Sequence, residues 1–286
     1  MSKALIAQEH ELNITSVNLY ETSTNKGYRV NVEGKPIFFR VGRAHPEELG
    51  IDRKKELENY KIAEKLGLAP TLLGFHLKDG LLMSEFIEGE VPSVKRIREE
   101  EFVESLVAEL KKLHDHSGEG LRPAEKTVFT VNDALFETWM ALDVDSADEK
   151  RVREWRKKRE SFEARYYDGI PKAICHGDLY RENLIETYDR KKIYIVDWEY
   201  SFYGYVVDDL GKIAAANWFN DQEINLLAQA YWGKRAPELV ERLRQNIFMQ
   251  HMNFCIWCLI QAQRNPELAQ SYHEVCSYAG QQLDSW

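Results

Sequence analysis

From Ile14 to Arg43 apolar and polar residues alternate along the chain. Tyr28, Val30 and Val32 take every second position, VEGK supplies turn residues from Glu33 to Lys35, and PIFFRV resumes the alternation. This pattern predicts an antiparallel hairpin, because successive side chains of a strand face opposite ways. The spacing changes after Asp52, where Leu57, Tyr60, Ala63 and Leu66 predict one apolar stripe on a helix from about Asp52 to Leu66, capped by Asp52 and stopped at Gly67. PTLLGFHL and GLLMSEFI read as two short strands around the turn KDG.

Beyond Gly89 helical spacing takes over, beginning with Phe102, Val103, Leu106, Val107, Leu110 and Leu113. It holds to the C-terminus except for an extended island, AICHGDLYRENLI followed by KKIYIVDWEY. No internal repeat or low-complexity linker interrupts it. The expected organisation is a small β-rich N-terminal lobe, residues 1–87 with a connector at its end, and a larger mainly helical lobe, residues 88–286.

Composition narrows the class. Of 286 residues 44% are hydrophobic and 12% aromatic, too much apolar material for a disordered chain. Thirty-eight Lys and Arg against 47 Asp and Glu leave a net charge of 38 − 47 = −9, which disfavours nucleic acid and anionic membranes as partners and favours cationic ones. No apolar run approaches the roughly 20 residues that span a bilayer. The opening MSKALIAQEHELN holds a four-residue apolar stretch, too short for a secretory signal. The four cysteines suggest no disulfide framework, and Cys255-x-x-Cys258 lies in the apolar stretch FCIWCLI, so these read as buried thiols. A cytoplasmic protein of unknown oligomeric state is expected.

The informative chemistry is in the extended island. Asp178 and Asn183 are five apart in HGDLYREN, on a loop entered from an apolar strand, and Asp197 ends the strand IYIV. A carboxylate at the end of a buried strand is costly unless paired or bound to metal. Two acids and an amide at adjacent strand mouths offer the hard oxygen ligands that Mg²⁺ takes beside phosphates. The order Asp, four residues, Asn, then a strand ending in Asp is that of a kinase catalytic loop and its metal-binding strand.

HGDLYRENLI with IVDWEYSFYGYVVDDLG resembles the aminoglycoside phosphotransferase and choline kinase superfamily, most nearly its choline and ethanolamine kinases. STNKGYRV, PIFFRVG, RKKELENYKIAEKLGLAP, LLMSEFIEG and VAELKKLHDH fit the family in order, so the resemblance covers most of the chain. It implies an α+β, protein-kinase-like bilobal fold and ATP- and Mg²⁺-dependent transfer of phosphate to a small molecule's hydroxyl. By position, Asp178 matches the catalytic Asp, Asn183 and Asp197 the Mg²⁺ ligands, and Asp209 of DDLG an Asp that tethers the catalytic loop. His176 then braces that loop. Arg40 stands where protein kinases carry a phosphate-binding Lys, with Glu56 as its ion-pair partner and Glu58 as the alternative. Ser84, Glu85 and Phe86 supply backbone to the adenine. No G-x-G-x-x-G is present; ETSTNKG, with Ser23, Thr24 and Asn25, takes the place of the phosphate-covering loop.

The acceptor is read from W-E-Y-S-F-Y-G-Y and NFCIWCLIQA, which resemble the choline kinase segments around the acceptor pocket. A quaternary ammonium donates no hydrogen bond and is bound by ring faces and a nearby carboxylate. Glu199, Tyr200, Tyr203, Phe254 and Trp257 are the candidates; Phe254 and Trp257, three apart on one helical face, read equally as core. Trp218 is either a further wall or a helix-end residue. Phe254 stands where eukaryotic choline kinases tend to have a second Trp, and Phe attracts a cation less strongly. The expected acceptor is a small cationic alcohol, choline first. Ethanolamine, thiamine and aminoglycosides are the alternatives, and a catalytically silent nucleotide-binding scaffold stands outside them.

Overall fold

A computed structural model of the chain describes residues 14–21, 25–42, 51–116, 126–162, 166–233 and 237–286. In chain order its strands are β1 (Ile14–Glu21), β2 (Lys26–Val32), β3 (Lys35–Val41), β4 (Leu72–His76), β5 (Leu81–Glu85), β6 (Gly89–Glu90), β7 (Lys172–Cys175), β8 (Leu184–Thr187), β9 (Ile193–Ile195) and β10 (Phe202–Tyr205). The helices are α1 (Arg53–Lys65), α2 (Glu100–His114), α3 (Val128–Met140), α4 (Ser146–Glu160), α5 (Val206–Ala216), α6 (Asp221–Trp232), α7 (Pro237–Arg264) and α8 (Ala269–Asp284). The described residues form two compact units: those up to Pro92 together with Glu182–Ser201, and those of Ser93–Arg181 with Phe202–Trp286. Patterning alone divides the chain once, at 87 and 88. The second passage into the first unit arises because β6 pairs with β8, far along the chain, as well as β8 with β9. No helix among the described residues is long and apolar enough to cross a membrane.

The first unit is built on an antiparallel sheet in the order β1-β2-β3-β5-β4. Its β2–β3 connection is the two-residue turn Glu33-Gly34, both at positive φ (52° and 83°), the geometry whose twist matches the flanking strands. Tyr28, Val30 and Phe39 pack on one face with Val17, Val32, Ile37, Val41, Leu81 and Met83. The Asp52 side chain caps α1, accepting from the amides of Lys54 and Lys55 at 3.0 and 3.2 Å.

The buried face of α1 differs from the expected stripe. Tyr60 and Ala63 are buried, but Leu57 and Leu66 are only half-buried, and Arg53, Glu56 and Asn59 take the interior. The reason is that these three find polar partners inside the unit, which removes the usual cost of burying them.

The second unit is mainly helical. α7 is its axis, packed by α3, α5 and α8, while α6 packs on α2. Phe102, Leu106, Leu110, Leu113, Trp139, Leu179, Leu210, Leu227, Phe248 and Met252 are almost wholly buried. β7 and β10 pair antiparallel, Cys175 opposite Phe202. Gly211 is required where α5 meets α7, since a Cβ there would clash with the Asn246 side chain. All four cysteines are free and buried. Burial pushes the Cys258 thiol up to about 12.

Candidate functional site: a buried ionic cluster and a tethered loop

In the first unit β3 places Arg40 beside α1 and the segment after β9. Its guanidinium lies 2.5 Å from Glu56 Oε1, 2.9 Å from Asp197 Oδ1 and 4.0 Å from Glu199 Oε2. Glu58, two residues beyond Glu56 on α1, is exposed. Arg53 continues the cluster, its Nη1 reaching Glu56 Oε2 at 2.7 Å and Glu199 Oε2 at 3.0 Å. Asn25 closes it, donating from Nδ2 to Glu199 Oε1 at 3.0 Å. Two arginines and three carboxylates give a formal 2 − 3 = −1. Burial opposes the charge on Arg40, but Asp197, Glu56 and Glu199 outweigh it and hold its pKa above the ordinary value. Glu199 is raised, first by burial and then by Asp197, against the pull of Arg40, Asn25 and Arg53.

The metal candidates share one end of the β8–β9 hairpin. Leu184 faces Ile195, and the Val196 amide donates to the Asn183 carbonyl at 2.9 Å. Asn183 and Asp197 therefore flank the same edge. Asp197 adopts left-handed backbone angles (φ 64°, ψ 66°), an uncommon conformation for a residue with a Cβ that recurs at functional sites. An amide oxygen and a carboxylate, both half-buried beside a cluster of net charge −1, fit Mg²⁺ by donor type and by charge. Arg40 Nε and Arg53 Nε and Nη2 are buried without a hydrogen-bond partner among the described residues.

At the strand proposed for the adenine, the Glu85 amide donates to the Thr71 carbonyl at 2.9 Å. Buried Ser84 donates from Oγ to the Glu85 carbonyl at 3.2 Å. Phe86 carries the Arg29 guanidinium over its ring at 4.7 Å. Ser23 and Thr24 lie outside the described residues.

The second unit holds Asp178, on the loop that leaves β7. Asp209 ties this loop down: Oδ2 accepts from the His176 amide and Oδ1 from the Gly177 amide, each at 2.8 Å. His114 Nε2 lies 3.1 Å from the same carboxylate, and its Nδ1 lies 2.7 Å from the Tyr231 hydroxyl. Burial alone would raise Asp209; His114 and the Gly177 amide overcome it and leave its pKa lowered, so the tether is ionised. His176 is buried, and its Nδ1 accepts from the Asp178 amide at 3.3 Å.

The aromatic candidates separate by unit. Tyr200 follows Glu199 in the first. Tyr203 lies on β10 in the second, opposite Ile174. Phe254 and Trp257 on α7 are half-buried and nearly parallel (10°), centroids 6.3 Å apart, and Tyr272 stands edge-on to Trp257 at 5.8 Å. Trp218 stacks on His251 at 4.7 Å with φ 54°, and Arg98 donates to the carbonyls of Asn217 and Trp218 at 2.9 and 3.0 Å.

The family model for choline/ethanolamine kinases matches residues 15–234. This chain belongs to the choline/ethanolamine kinase family. It is 26% identical over 247 residues to ethanolamine kinase 2 of Mus musculus, a match covering 76% of this chain and 61% of that relative. It thus spans less than two thirds of the relative's length. Among solved structures, the choline kinase LicA of Streptococcus pneumoniae superimposes with a TM-score of 0.80 at 21% identity, covering 99% of each chain. A choline/ethanolamine kinase family protein of Mesorhizobium loti gives 0.77 at 23% identity, covering 95% of this chain and 87% of that one. The fold is the kinase-like α+β fold of these structures.

Within this choline/ethanolamine kinase family member, sequence reasoning missed two cations. Arg53 was hidden behind its neighbour Asp52, which reads as a cap, although Arg53 and Glu56 have the i, i+3 spacing of a helical ion pair. Lys212 lies three residues beyond Asp209 on α5 and stands 3.7 Å from Asp178. No short-range pattern announces that contact.

Proposed function

We propose that this chain is an ATP- and Mg²⁺-dependent kinase that phosphorylates the hydroxyl of a small amino alcohol, ethanolamine ahead of choline. The observation that carries the reading is Arg40 joined to both Glu56 and Asp197 in the unit that also holds Asn183. This is a phosphate-binding cation braced by one acid and paired with a second acid whose carboxylate is of the type that takes Mg²⁺.

In this mechanism Arg40 steers the nucleotide phosphates with a planar, permanently charged fork. Asn25 is held against Glu199 by its own side-chain amide. Asn183 and Asp197 would hold Mg²⁺, which would offset the negative charge of the phosphates. Asp178, on its tethered loop, orients the acceptor hydroxyl and accepts its proton as the hydroxyl oxygen bonds to the γ-phosphorus and the bond from that phosphorus to the bridging oxygen breaks, with ADP leaving. Asp209 fixes where that carboxylate sits.

The order of acceptors rests on two supports. Sequence patterning pointed first to choline. Phe254 is a weaker partner for a quaternary ammonium than a second Trp, and the mouse relative is named an ethanolamine kinase. Choline remains the second reading because Trp257, flanked by Phe254 and Tyr272, keeps a partly exposed ring. The test is ADP release by the purified chain with ATP, MgCl₂ and a panel of ethanolamine, choline, thiamine and an aminoglycoside. Saturable release with ethanolamine, and a lower kcat/KM with choline, is expected. Release no faster with either amino alcohol than without acceptor refutes the assignment.

A further inference from the structure

Asp178 has a cation beside it that the roles above leave unused. Lys212 projects from α5, the helix whose Asp209 tethers the same loop. Its Nζ lies 3.7 Å from Asp178 Oδ1 and 4.8 Å from the centroid of the Tyr180 ring. The two side chains are 19% and 25% exposed, so neither end of the pair is sealed in the core. Burial favours the neutral amine, but Tyr180 and Asp178 prevail and hold Lys212 above the ordinary lysine value, so it is an ammonium at neutral pH.

Two consequences follow from a fixed positive charge at this place. An ion pair from a rigid helix restricts the orientation of the Asp178 carboxylate. The same charge opposes an acceptor ammonium two carbons from the reacting hydroxyl. Resting on the kinase reading, we propose that Lys212 is a positioning and specificity residue. It aims Asp178 at the acceptor hydroxyl and forces the acceptor's ammonium to the side away from α5.

The prediction is a split between kcat and KM. With ethanolamine, ATP and Mg²⁺, Lys212→Met lowers kcat on the order of 10²-fold, while the KM for ethanolamine stays level or falls because a like charge has gone. Lys212→Arg, which keeps the charge, recovers kcat to within about tenfold of wild type. Thermal unfolding midpoints accompany each variant, and if Lys212→Met does not fold, Lys212→Gln is read in the same way. A kcat for the uncharged variant within about threefold of wild type overturns the proposal. So does a kcat loss with an equal rise in KM, the mark of a general structural defect. Wild type inactive on every amino alcohol sinks the kinase reading and this proposal with it; active wild type with an unaffected Lys212→Met sinks this proposal alone.

Discussion

Arg40 in the first unit and Asp209 in the second are both almost wholly buried charges, and they are compensated in different ways. Arg40 is surrounded by other ions, which are themselves shared: Glu56 serves two arginines, and so does Glu199. Buried donors on Arg40 and Arg53 remain without hydrogen-bond partners among the described residues. Asp209 is met by two backbone amides and one imidazole, directed at fixed lone pairs. An ionic cluster can redistribute its pairings when phosphate and metal enter. A carboxylate held by backbone amides cannot move without moving the loop. The first arrangement suits binding a charged nucleotide, and the second suits holding one carboxylate still.

Removing the central charge on each side sharpens this contrast. The largest stability loss is expected for Asp209→Ala, which strands the His176 and Gly177 amides and the His114 ring in the interior. About 3–5 kcal/mol is expected from urea unfolding, with turnover lost in whatever fraction folds. Arg53→Met should cost less, about 2–3 kcal/mol, because Arg40 remains beside Glu56 and Glu199 to take up their charge. If the two losses come out equal, the first cluster is as rigid as the loop tether and the contrast fails.

A smaller effect comes from His251, buried under Trp218, where burial lowers its pKa to about 4 from 6.5. The folded imidazole is neutral while the unfolded one takes a proton below 6.5. Stability is therefore complete above pH 6.5 and declines as the pH falls towards 4, by up to about 3 kcal/mol at 1.36 kcal/mol per unit. His251→Phe should flatten that part of the curve in unfolding midpoints taken from pH 4 to 7. An unchanged slope would place the acid sensitivity elsewhere.

The elements legible in the sequence are those whose signal is local. The β2–β3 hairpin reads from alternation and Glu33-Gly34, α1 from Asp52 and Gly67, and the loop candidates from HGDLYREN. What escaped depends on side chains distant in sequence. Arg53 meets Glu199 across 146 positions, and Asn25 meets it across 174. Glu199 was expected to face a cationic substrate; in the fold its carboxylate is engaged by Arg53 and Asn25. The apolar stripe on α1 was misplaced by the same cause, since burial of Glu56 and Asn59 is decided by partners that no periodicity shows. Asn59, for instance, donates to the Ser201 hydroxyl at 3.0 Å.

The division of labour itself is open to one measurement, calorimetric titration of ATP with and without Mg²⁺ into wild type, Asp178→Asn and Asp197→Asn, beside turnover of the same samples. Asp178→Asn should keep Mg²⁺-dependent ATP affinity within about threefold while losing on the order of 10³ in kcat. Asp197→Asn should lose the Mg²⁺ dependence of binding as well as turnover. Mg²⁺-dependent affinity that survives in Asp197→Asn, or that vanishes in Asp178→Asn, would contradict the account.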